Sequence, residues 1–389
     1  MAEHARLSPS SADRWIHCPP SVRLSEGIPN TDTPYSKAGT LAHSIAELKA
    51  RKHFVEPMGA RTYNARLKKL KADPDYDPGM DSATDQYLEE LKRQSMEFPD
   101  PPFVVLESRV DFSHLVPDGF GRADCLMMGG DRLVVVDYKN GAGVPVEAKE
   151  NPQMMLYALG ALHTYAPIYG DQLTQVRLVI VQPNAGGVKS WDTTKQELER
   201  WGENAVRPAA ELAIQGKGGF NPGPREKGWC YFCPAKAQCS ARAAQMLEVE
   251  KLRPPEGETL TDLQVGAILT KARGLESWVH DLEQYALTTS LHGGHIPGWK
   301  VVEGRGSRSW IDQDSALSQL QQRGVAEAVL YERKAVSVPG LEKALGKSAF
   351  TEAAAGLWVK NPGKPTLAAD SDPRPVYQPE KTMFQPVNE

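Results

Sequence analysis

The feature that most constrains the fold is the apolar run Leu133-Val134-Val135-Val136, which ends abruptly in Asp137-Tyr138-Lys139. Because side chains alternate between the two faces of a strand, a run that is apolar at every position indicates a central strand covered on both faces. Two further β-rich segments, 103–111 and 119–128, precede it and are bounded by Pro-Asp-Gly and Gly-Gly-Asp turns. The three segments together predict a three-stranded meander.

The order of the predicted elements indicates an α/β fold with a mixed sheet. A helix over 151–165, a strand over 176–182 and a helix over 194–215 follow the meander. A helix over 39–54 precedes it, and two highly charged helical segments within 61–97 are interpreted as a solvated excursion. We divide the chain into N-terminal helices (1–60), a charged helical insertion (61–100), the core (101–220), a cysteine-rich segment (221–250), a mainly helical region (251–360) with a candidate hairpin over 299–311, and a Pro-rich tail (361–389).

Composition narrows the class of protein. The chain has 45 Lys and Arg against 49 Asp and Glu, a net charge of −4, which excludes a polycation that binds nucleic acid by bulk charge. A nuclease with a local basic groove is not excluded. No stretch approaches the ~20 consecutive apolar residues of a membrane span, and the N-terminus lacks a signal sequence. We therefore expect a cytoplasmic protein that does not enter the membrane.

Acidic residues follow the predicted strands at a position where charge is costly. Asp137 and Lys139 share one face of their strand, and Asp124 on the neighbouring strand could reach the same place. Charged groups at the end of a buried strand need compensation, which a hard cation such as Mg²⁺ supplies. Carboxylates and a backbone carbonyl, here that of Tyr138, are the ligands that such an ion prefers.

Four short motifs resemble a known nuclease family. They are Gly-Thr-x-x-His ending in His43, Gly-x-x-Asp ending in Asp124, Asp-x-Lys over 137–139, and Gln-x-x-x-Tyr over 153–157. In this order, over residues 36–160, the chain resembles the RecB-type branch of the PD-(D/E)XK nucleases. The resemblance implies a restriction-endonuclease-like mixed sheet core flanked by helices. Asp137 stands where the family more commonly has Glu.

The resemblance also implies roles for these residues. His43, Asp124 and Asp137 would hold Mg²⁺ or Mn²⁺, and Lys139 would position or activate water. Gln153 and Tyr157 would line the active site and the DNA strand. Two other acidic residues, Glu47 on the helix face of His43 and Glu107 on the first strand, are interpreted as structural, with a second metal site as the alternative.

Three cysteines lie within ten residues, as Cys230-x2-Cys233-x5-Cys239. An odd total of five cysteines argues against a disulfide framework. A zinc ribbon would bring two close pairs, whereas three clustered cysteines and one remote one fit the four thiolates of a [4Fe–4S] cluster. Cys18 is the candidate fourth ligand. Cys125 is interpreted as a small core residue, and His17 is a fallback ligand.

This layout resembles the iron–sulfur subgroup of the same nucleases, which includes the AddB subunit and the nuclease of CRISPR adaptation. In that subgroup, one N-terminal Cys followed by Pro joins three Cys placed after the core, as Cys18-Pro19 and the 230–239 group do here. The resemblance implies a cluster that staples the N-terminal helix to the end of the core. It also implies a phage or prophage product that acts on DNA ends or single strands with recombination or replication proteins.

Two functions remain open from the sequence: a metal-dependent deoxyribonuclease, and an inactive DNA-binding or assembly factor that keeps the nuclease fold. The oligomeric state is not predicted. Basic and aromatic residues at Arg305, Arg308 and Trp310 suit phosphate contact and base stacking, and they equally suit a Gly-rich turn.

Overall fold

A computed structural model of the chain describes residues 5–28, 34–226, 228–252, 257, 259–303, 311–331 and 336–358. The chain forms two compact units, Met1–Val302 and Glu303–Glu389. The helices and strands of the first unit are α1 (Ala12–His17), α2 (Ser21–Leu24), α3 (Pro34–Phe54), α4 (Ala60–Lys71), α5 (Gly79–Met96), β1 (Phe103–Asp111), β2 (Phe120–Gly129), β3 (Arg132–Tyr138), α6 (Pro152–Thr164), α7 (Ala166–Tyr169), β4 (Gln175–Gln182), β5 (Gly187–Thr194), α8 (Lys195–Trp201), α9 (Arg207–Gln215), α10 (Ser240–Leu247), α11 (Asp262–Ala272) and α12 (Leu275–Leu291).

The described strands form one mixed sheet of five strands in the order β1-β2-β3-β4-β5. The β1–β2 and β2–β3 pairs are antiparallel, so the predicted meander is confirmed. The β3–β4 pair is parallel, and α6 provides the crossover that a parallel pair requires. Strand β5 returns antiparallel to β4. The expectation of a mixed α/β sheet flanked by helices is therefore confirmed.

The two faces of β3 enter different hydrophobic cores, as its continuous apolar run predicts. Leu133 and Val135 belong to the first core, which α1, α6, α8 and α9 cover. Val134 and Val136 belong to the second core, which α3 and α5 cover. All four side chains are fully buried. The alternation of the strand thus explains why every position of the run is apolar.

The interpretation of residues 61–97 as a solvated excursion is wrong for its second helix. Helix α4 has no buried residue, but α5 buries Tyr87 and Leu91 in the second core and contacts β3 and β4. The buried residues of α5 recur at helical spacing, while the many charges lie on its opposite side. The charge content of this segment therefore led to a wrong prediction, because α5 is an amphipathic helix that covers one face of the sheet.

Two further differences concern strand β5 and the helix that follows it, and several predicted features lie outside the described residues. Strand β5 is missing from the sequence prediction because it is an edge strand whose outer positions are polar and exposed. The predicted helix over 194–215 begins with a Thr194–Glu197 capping box, and a π-helical segment, Gly202–Val206, separates α8 from α9. The candidate hairpin over 299–311 and the residues Arg305, Arg308 and Trp310 fall largely or wholly outside the described residues, as does the tail over 361–389.

The second unit contains the helices α13 (Gln313–Gln322), α14 (Glu327–Leu330), α15 (Val338–Leu345) and α16 (Lys347–Ala353). Leu317 and Phe350 are its buried apolar residues within the described range. Across both units, no helix of the described residues is long and apolar enough to cross a membrane. The predicted segment boundaries at 60, 100, 220 and 250 stay predictions.

The packing of α5 predicts a specific loss of stability. We expect Leu91→Ala to lower the free energy of unfolding by about 2–5 kcal/mol, because a fully buried side chain is replaced by a cavity. Urea unfolding followed by circular dichroism measures this change. The matched control is Leu263→Ala on α11, where the leucine is 84% exposed and the loss should stay below about 0.5 kcal/mol. Equal losses in the two variants would mean that α5 does not close the sheet.

Candidate functional site

The site lies where the β2–β3 ladder opens. The last backbone pair at this end of the ladder is Cys125 with Val136, and one residue further on the two strands no longer pair. There the backbone N–H of Tyr138 donates a hydrogen bond to Asp124 Oδ2 at 2.8 Å. A side-chain carboxylate thus takes the place of a ladder carbonyl. This hydrogen bond holds the Asp124 carboxylate at the end of the β2–β3 pairing.

Three side chains from different elements come together around Asp124. His43 of α3, Glu107 of β1 and Asp124 of β2 each offer a ligand atom within 4.8 Å of the other two. In the described part of the chain, no other trio of His, Cys, Asp and Glu meets this condition. His43 Nδ1 lies 3.4 Å from Asp124 Oδ2, and its ring packs edge-on against Tyr138. One imidazole nitrogen and two carboxylates are a suitable donor set for a divalent cation.

Glu107 is the residue whose placement the sequence interpretation missed. It lies opposite Asp124 in the antiparallel β1–β2 register, between the pairs Leu106–Cys125 and Ser108–Ala123. Its φ of 51° is in the left-handed region, which costs a non-glycine residue of order 1 kcal/mol or more. The cross-strand register could have located Glu107 from the sequence, but nothing in the sequence indicates the unusual backbone conformation.

Burial raises the pKa of both Glu107 and Asp124, but their charged neighbours shift the two pKa values in opposite directions. Burial, together with the negative charges of Asp124 and Glu47, raises the pKa of Glu107 to about 7. Burial also disfavours the charged form of Asp124, but the charge of His43 and the Tyr138 hydrogen bond outweigh it and lower the pKa of Asp124. The Glu107 carboxyl is thus only partly ionised near pH 7 because the Asp124 carboxylate lies beside it. A cation bound between the two would favour the ionised form of both.

The same neighbours control His43. Burial alone would lower the pKa of the His43 imidazole, but the negative charges of Asp124 and Asp137 outweigh burial and raise that pKa to about 9. In the absence of a metal, protonated His43 therefore compensates Asp124. A divalent cation would take over this role, and its binding would release the proton from His43.

Asp137 is not part of the trio and lies in a second network with Lys139. Asp137 is almost fully buried, and its Oδ2 lies 3.0 Å from Lys139 Nζ. Although this ionic contact is short, Oδ2 accepts no hydrogen bond from any described residue. Burial raises the pKa of Asp137, with the negative charge of Asp124 adding to the effect and Lys139 opposing it. Because the Lys139 contact offsets the burial of Asp137 only in part, Asp137 is able to accept a further cation.

Helix α6 supplies the remaining members of this network. Lys139 Nζ donates to Gln153 Oε1 at 3.0 Å, and Gln153 Nε2 donates to Tyr157 Oη at 3.0 Å. A longer contact of 3.4 Å joins Gln153 Nε2 to Asp137 Oδ1. Residues 153 and 157 are one helical turn apart and share a face, as predicted. The amide of Gln153 therefore orients both the acid and the amine.

Gly121 has a steric role in the Gly-x-x-Asp motif. A Cβ atom at this position would lie 2.8 Å from the ring of Tyr157 and 2.6 Å from the ring of Pro9. Real side chains do not approach so closely, so any other residue would displace α6 or the N-terminal turn. The glycine lets Tyr157 pack against β2 beside Asp124.

The structure brings all the motif residues of the predicted nuclease site to the place where β2 and β3 separate. His43 and Asp124 belong to the trio, Asp137, Lys139, Gln153 and Tyr157 form the second network, and the charges of Asp137 and Lys139 act on His43. The side chain of Tyr138 points into the second core, so its backbone alone is available to the site. Glu47 lines the same small cavity as the trio, with its carboxylate held by Arg51 at 2.5 Å.

A second cavity is lined by the four predicted cluster ligands. Cys18 follows α1, Cys230 and Cys233 lie in a turn, and Cys239 precedes α10, and all four face one enclosed space. Gly223 N–H donates a hydrogen bond to Cys230 Sγ at 3.2 Å. Burial raises the pKa values of the Cys18 and Cys230 thiols. A bound metal stabilises such thiols as thiolates, and a nearby cation acts in the same sense, as Arg242 does on Cys230 in this cavity.

The spacing of the sulfur atoms bears on the kind of metal. In the described residues, no three cysteine sulfurs lie within 4.8 Å of one another. A single zinc ion, at about 2.3 Å from each sulfur, would draw the sulfurs to within roughly 4 Å of each other. The described residues thus show no three cysteine sulfurs at the spacing of a bound zinc ion.

The two alternative ligands lie elsewhere. The ring of His17 stacks on Trp229 with 4.2 Å between centroids, and its Nδ1 contacts Asp13. Cys125 is fully buried in the second core, in agreement with its interpretation as a core residue. Neither side chain lines the cysteine cavity.

Comparisons with known proteins give one family and two solved structures. A family model described as "Protein of unknown function (DUF2800)" matches residues 4–375. The crystal structure of SSO0001 is similar with a TM-score of 0.23 and 15% identity, over 51% of this chain and 85% of that one. LHK-Exo in complex with dAMP gives a TM-score of 0.23 and 13% identity, over 45% of this chain and 88% of that one. These TM-scores are too low to support an inference about fold or activity.

The trio predicts which carboxylate controls metal affinity. We expect Glu107→Gln to weaken Mn²⁺ binding at least about 10-fold, because a charged donor is replaced by a neutral amide. Isothermal titration calorimetry measures the affinity. The control is Glu47→Gln, which changes the other glutamate of the same cavity. Because Glu47 is not a donor of the trio, this change should alter the affinity less than about 3-fold. Equal weakening in both variants would contradict the assignment of the trio.

Proposed function

We propose that this chain, which belongs to the DUF2800 family, is a metal-dependent nuclease that hydrolyses phosphodiester bonds in DNA on a restriction-endonuclease-like core. The observation that carries the proposal is the convergence of residues from four separate elements. His43, Asp124, Asp137 with Lys139, and Gln153 with Tyr157 are far apart in sequence and meet at one edge of the sheet. The motif resemblance to RecB-type nucleases predicts this set of residues.

His43, Glu107 and Asp124 would hold one Mg²⁺ or Mn²⁺ ion, with Asp137 and the backbone carbonyl of Tyr138 as further oxygen donors. Such an ion supplies positive charge that stabilises the charge developing on the scissile phosphate and favours ionisation of the attacking water. Glu107 extends the ligand set that the motifs predict. Its carboxyl completes the trio on the side of β1.

Lys139 and Gln153 act on the phosphate and the water directly. The ammonium of Lys139 places a fixed positive charge beside the reacting phosphate, where it stabilises negative charge as it develops. Because Asp137 and Gln153 both hold Lys139, little reorientation is needed during the reaction. The Tyr157 hydroxyl, held by Gln153, is placed to contact a substrate oxygen.

We further propose that Cys18, Cys230, Cys233 and Cys239 bind a [4Fe–4S] cluster. The cluster supplies four iron–thiolate bonds that link the end of α1 to the segment after α9. Asn221 Nδ2 already donates a hydrogen bond to the backbone oxygen of His17, and Trp229 stacks on the His17 ring. Closing a loop of about two hundred residues in this way restricts the unfolded chain. The cytoplasmic location and the phage role stay predictions.

The activity is tested with the charge-neutral variant of one proposed ligand. We expect the wild-type protein to digest end-labelled single-stranded or duplex DNA with Mg²⁺ or Mn²⁺. Asp124→Asn should lower the cleavage rate at least about 100-fold, because the amide still accepts the Tyr138 hydrogen bond but carries no charge. Asp192→Asn is the control, since Asp192 is a carboxylate of β5 that pairs with Arg177.

The outcomes separate the two functions considered from the sequence. Full activity in Asp124→Asn would refute the proposed site. DNA binding by the wild-type protein without cleavage under either metal would favour an inactive DNA-binding factor that keeps the fold.

The cluster is tested by removing the remote thiol. We expect wild-type protein prepared anaerobically to contain about four irons per chain. Cys18→Ala should lose most of the iron and melt at lower temperature, because cluster binding contributes to folding. Cys125→Ala removes a cysteine that lies outside the cavity, so its iron content should match the wild type. Retention of iron by Cys18→Ala, or one equivalent of zinc in the wild type, would overturn the assignment.

A further inference from the structure

Helix α4 is strongly positive, whereas the chain as a whole has a net negative charge. Its twelve residues include Arg61, Arg66, Lys68, Lys69 and Lys71 and no Asp or Glu. The chain as a whole has a net charge of −4, so the positive charge of α4 is local. None of the residues of α4 is buried. A helix of about 18 Å with this charge presents an exposed cationic surface.

Four of the five cations of α4 divide into two pairs by their position around the helix axis, and the fifth, Lys71, pairs with Asp81. Tyr63, Leu67 and Leu70 form the stripe that faces α3, and Leu67 and Leu70 pack against the second core. At about 100° per residue, Arg66 lies about 40° from Leu70 around the helix axis, and Lys69 lies about 100° from Leu70 on the same side. Arg61 and Lys68 fall on the opposite side of the helix, roughly 120° from the first pair.

Arg66 and Lys69 face a groove between α3 and α4. The residues that line this groove are Ser44, Glu47, Leu48, Arg51, Arg66, Lys69 and Leu70. Glu47 also lines the cavity that contains His43, Glu107 and Asp124. The groove and the candidate metal site therefore meet at Glu47.

The groove has an excess of positive charge. Glu47 is neutralised by Arg51, and Arg66 Nη1 lies 3.6 Å from Glu56 Oε2. Lys69 is exposed and forms no ion pair with any described residue. A ligand that fits this arrangement carries negative charges at regular intervals and extends from the groove to the metal site.

We propose that the α3–α4 groove binds the phosphodiester backbone of the nucleic-acid strand whose scissile phosphate lies at the trio. This inference rests on the proposed nuclease function and identifies where that substrate is held. Arg66 and Lys69 contact phosphates next to the one that is cleaved. In a strand of B-form duplex, which has one phosphate per 3.4 Å of the helix axis, the length of α4 corresponds to about five nucleotides.

The test measures binding without metal, so that it does not depend on cleavage. Fluorescence anisotropy with a labelled single-stranded oligothymidylate gives the affinity of the full chain over a range of KCl concentrations. The double variant R66Q/K69Q should reduce the slope of log K against log[KCl] by about 1.4, since each lost phosphate contact removes about 0.7 for a single strand. The control R61Q/K68Q loses the same two residue types from the opposite side of α4 and should keep the wild-type slope.

Three results would overturn the proposal: an unchanged slope in R66Q/K69Q, an equal reduction in both double variants, or no binding of the oligonucleotide by the wild type. Melting temperatures of both variants show that they are folded. If the wild type cleaves DNA and R66Q/K69Q keeps its slope, the groove assignment fails while the nuclease function stands. If the slope falls as expected and no metal supports cleavage, the strand surface stands and the proposed activity fails.

Discussion

The hydrogen bond from the backbone N–H of Tyr138 to the Asp124 carboxylate positions the rest of the site. It replaces a ladder bond at the point where β2 and β3 separate, so an acidic side chain occupies a place that a backbone carbonyl would otherwise take. With Asp124 held there, Glu107 meets it across the β1–β2 register and His43 meets it from α3. Asp137 and Lys139 then follow from the continuation of β3. The separation of β2 and β3 thus allows polar side chains to come together at the end of two buried strands.

Strands β1 to β4 were predictable from local patterns, whereas β5 was not, and the proposed site residues were indicated by the resemblance of four motifs to a nuclease family. A run that is apolar on both faces defines β3, and Asp137 and Lys139 follow it at a spacing of two. Glu107 was interpreted as structural, with a second metal site as the alternative, because its placement depends on a positive φ and on the partner strand, neither of which is visible within its own segment. Helix α5 was misjudged for a related reason. Its many charges concealed a stripe of buried residues whose burial depends on a sheet formed later in the chain.

The two candidate metal-binding regions impose different demands on the chain. The trio joins two neighbouring strands to α3, which packs against β1. The cysteine cavity joins Cys18 to residues more than two hundred positions later, and it exists only when α1 has packed against α6 and α9. Trp15 of α1 is fully buried in the first core, which makes this docking favourable without a cluster. The iron–thiolate bonds would therefore further stabilise the packing of α1, which hydrophobic burial already favours.

The distribution of charge explains how a chain with a net charge of −4 can attract a polyanion. Inside the site, protonated His43 compensates Asp124, Lys139 compensates Asp137, and Glu107 is half-neutral near pH 7, as its pKa of about 7 requires. Little net negative charge remains to repel a phosphate. The exposed cations of α4 face solvent, where they act over roughly a Debye length of 8–10 Å at moderate salt. Under the proposed strand binding, the exposed cations of α4 would attract a nucleic acid on approach, while the acidic groups of the site would act only at contact distance.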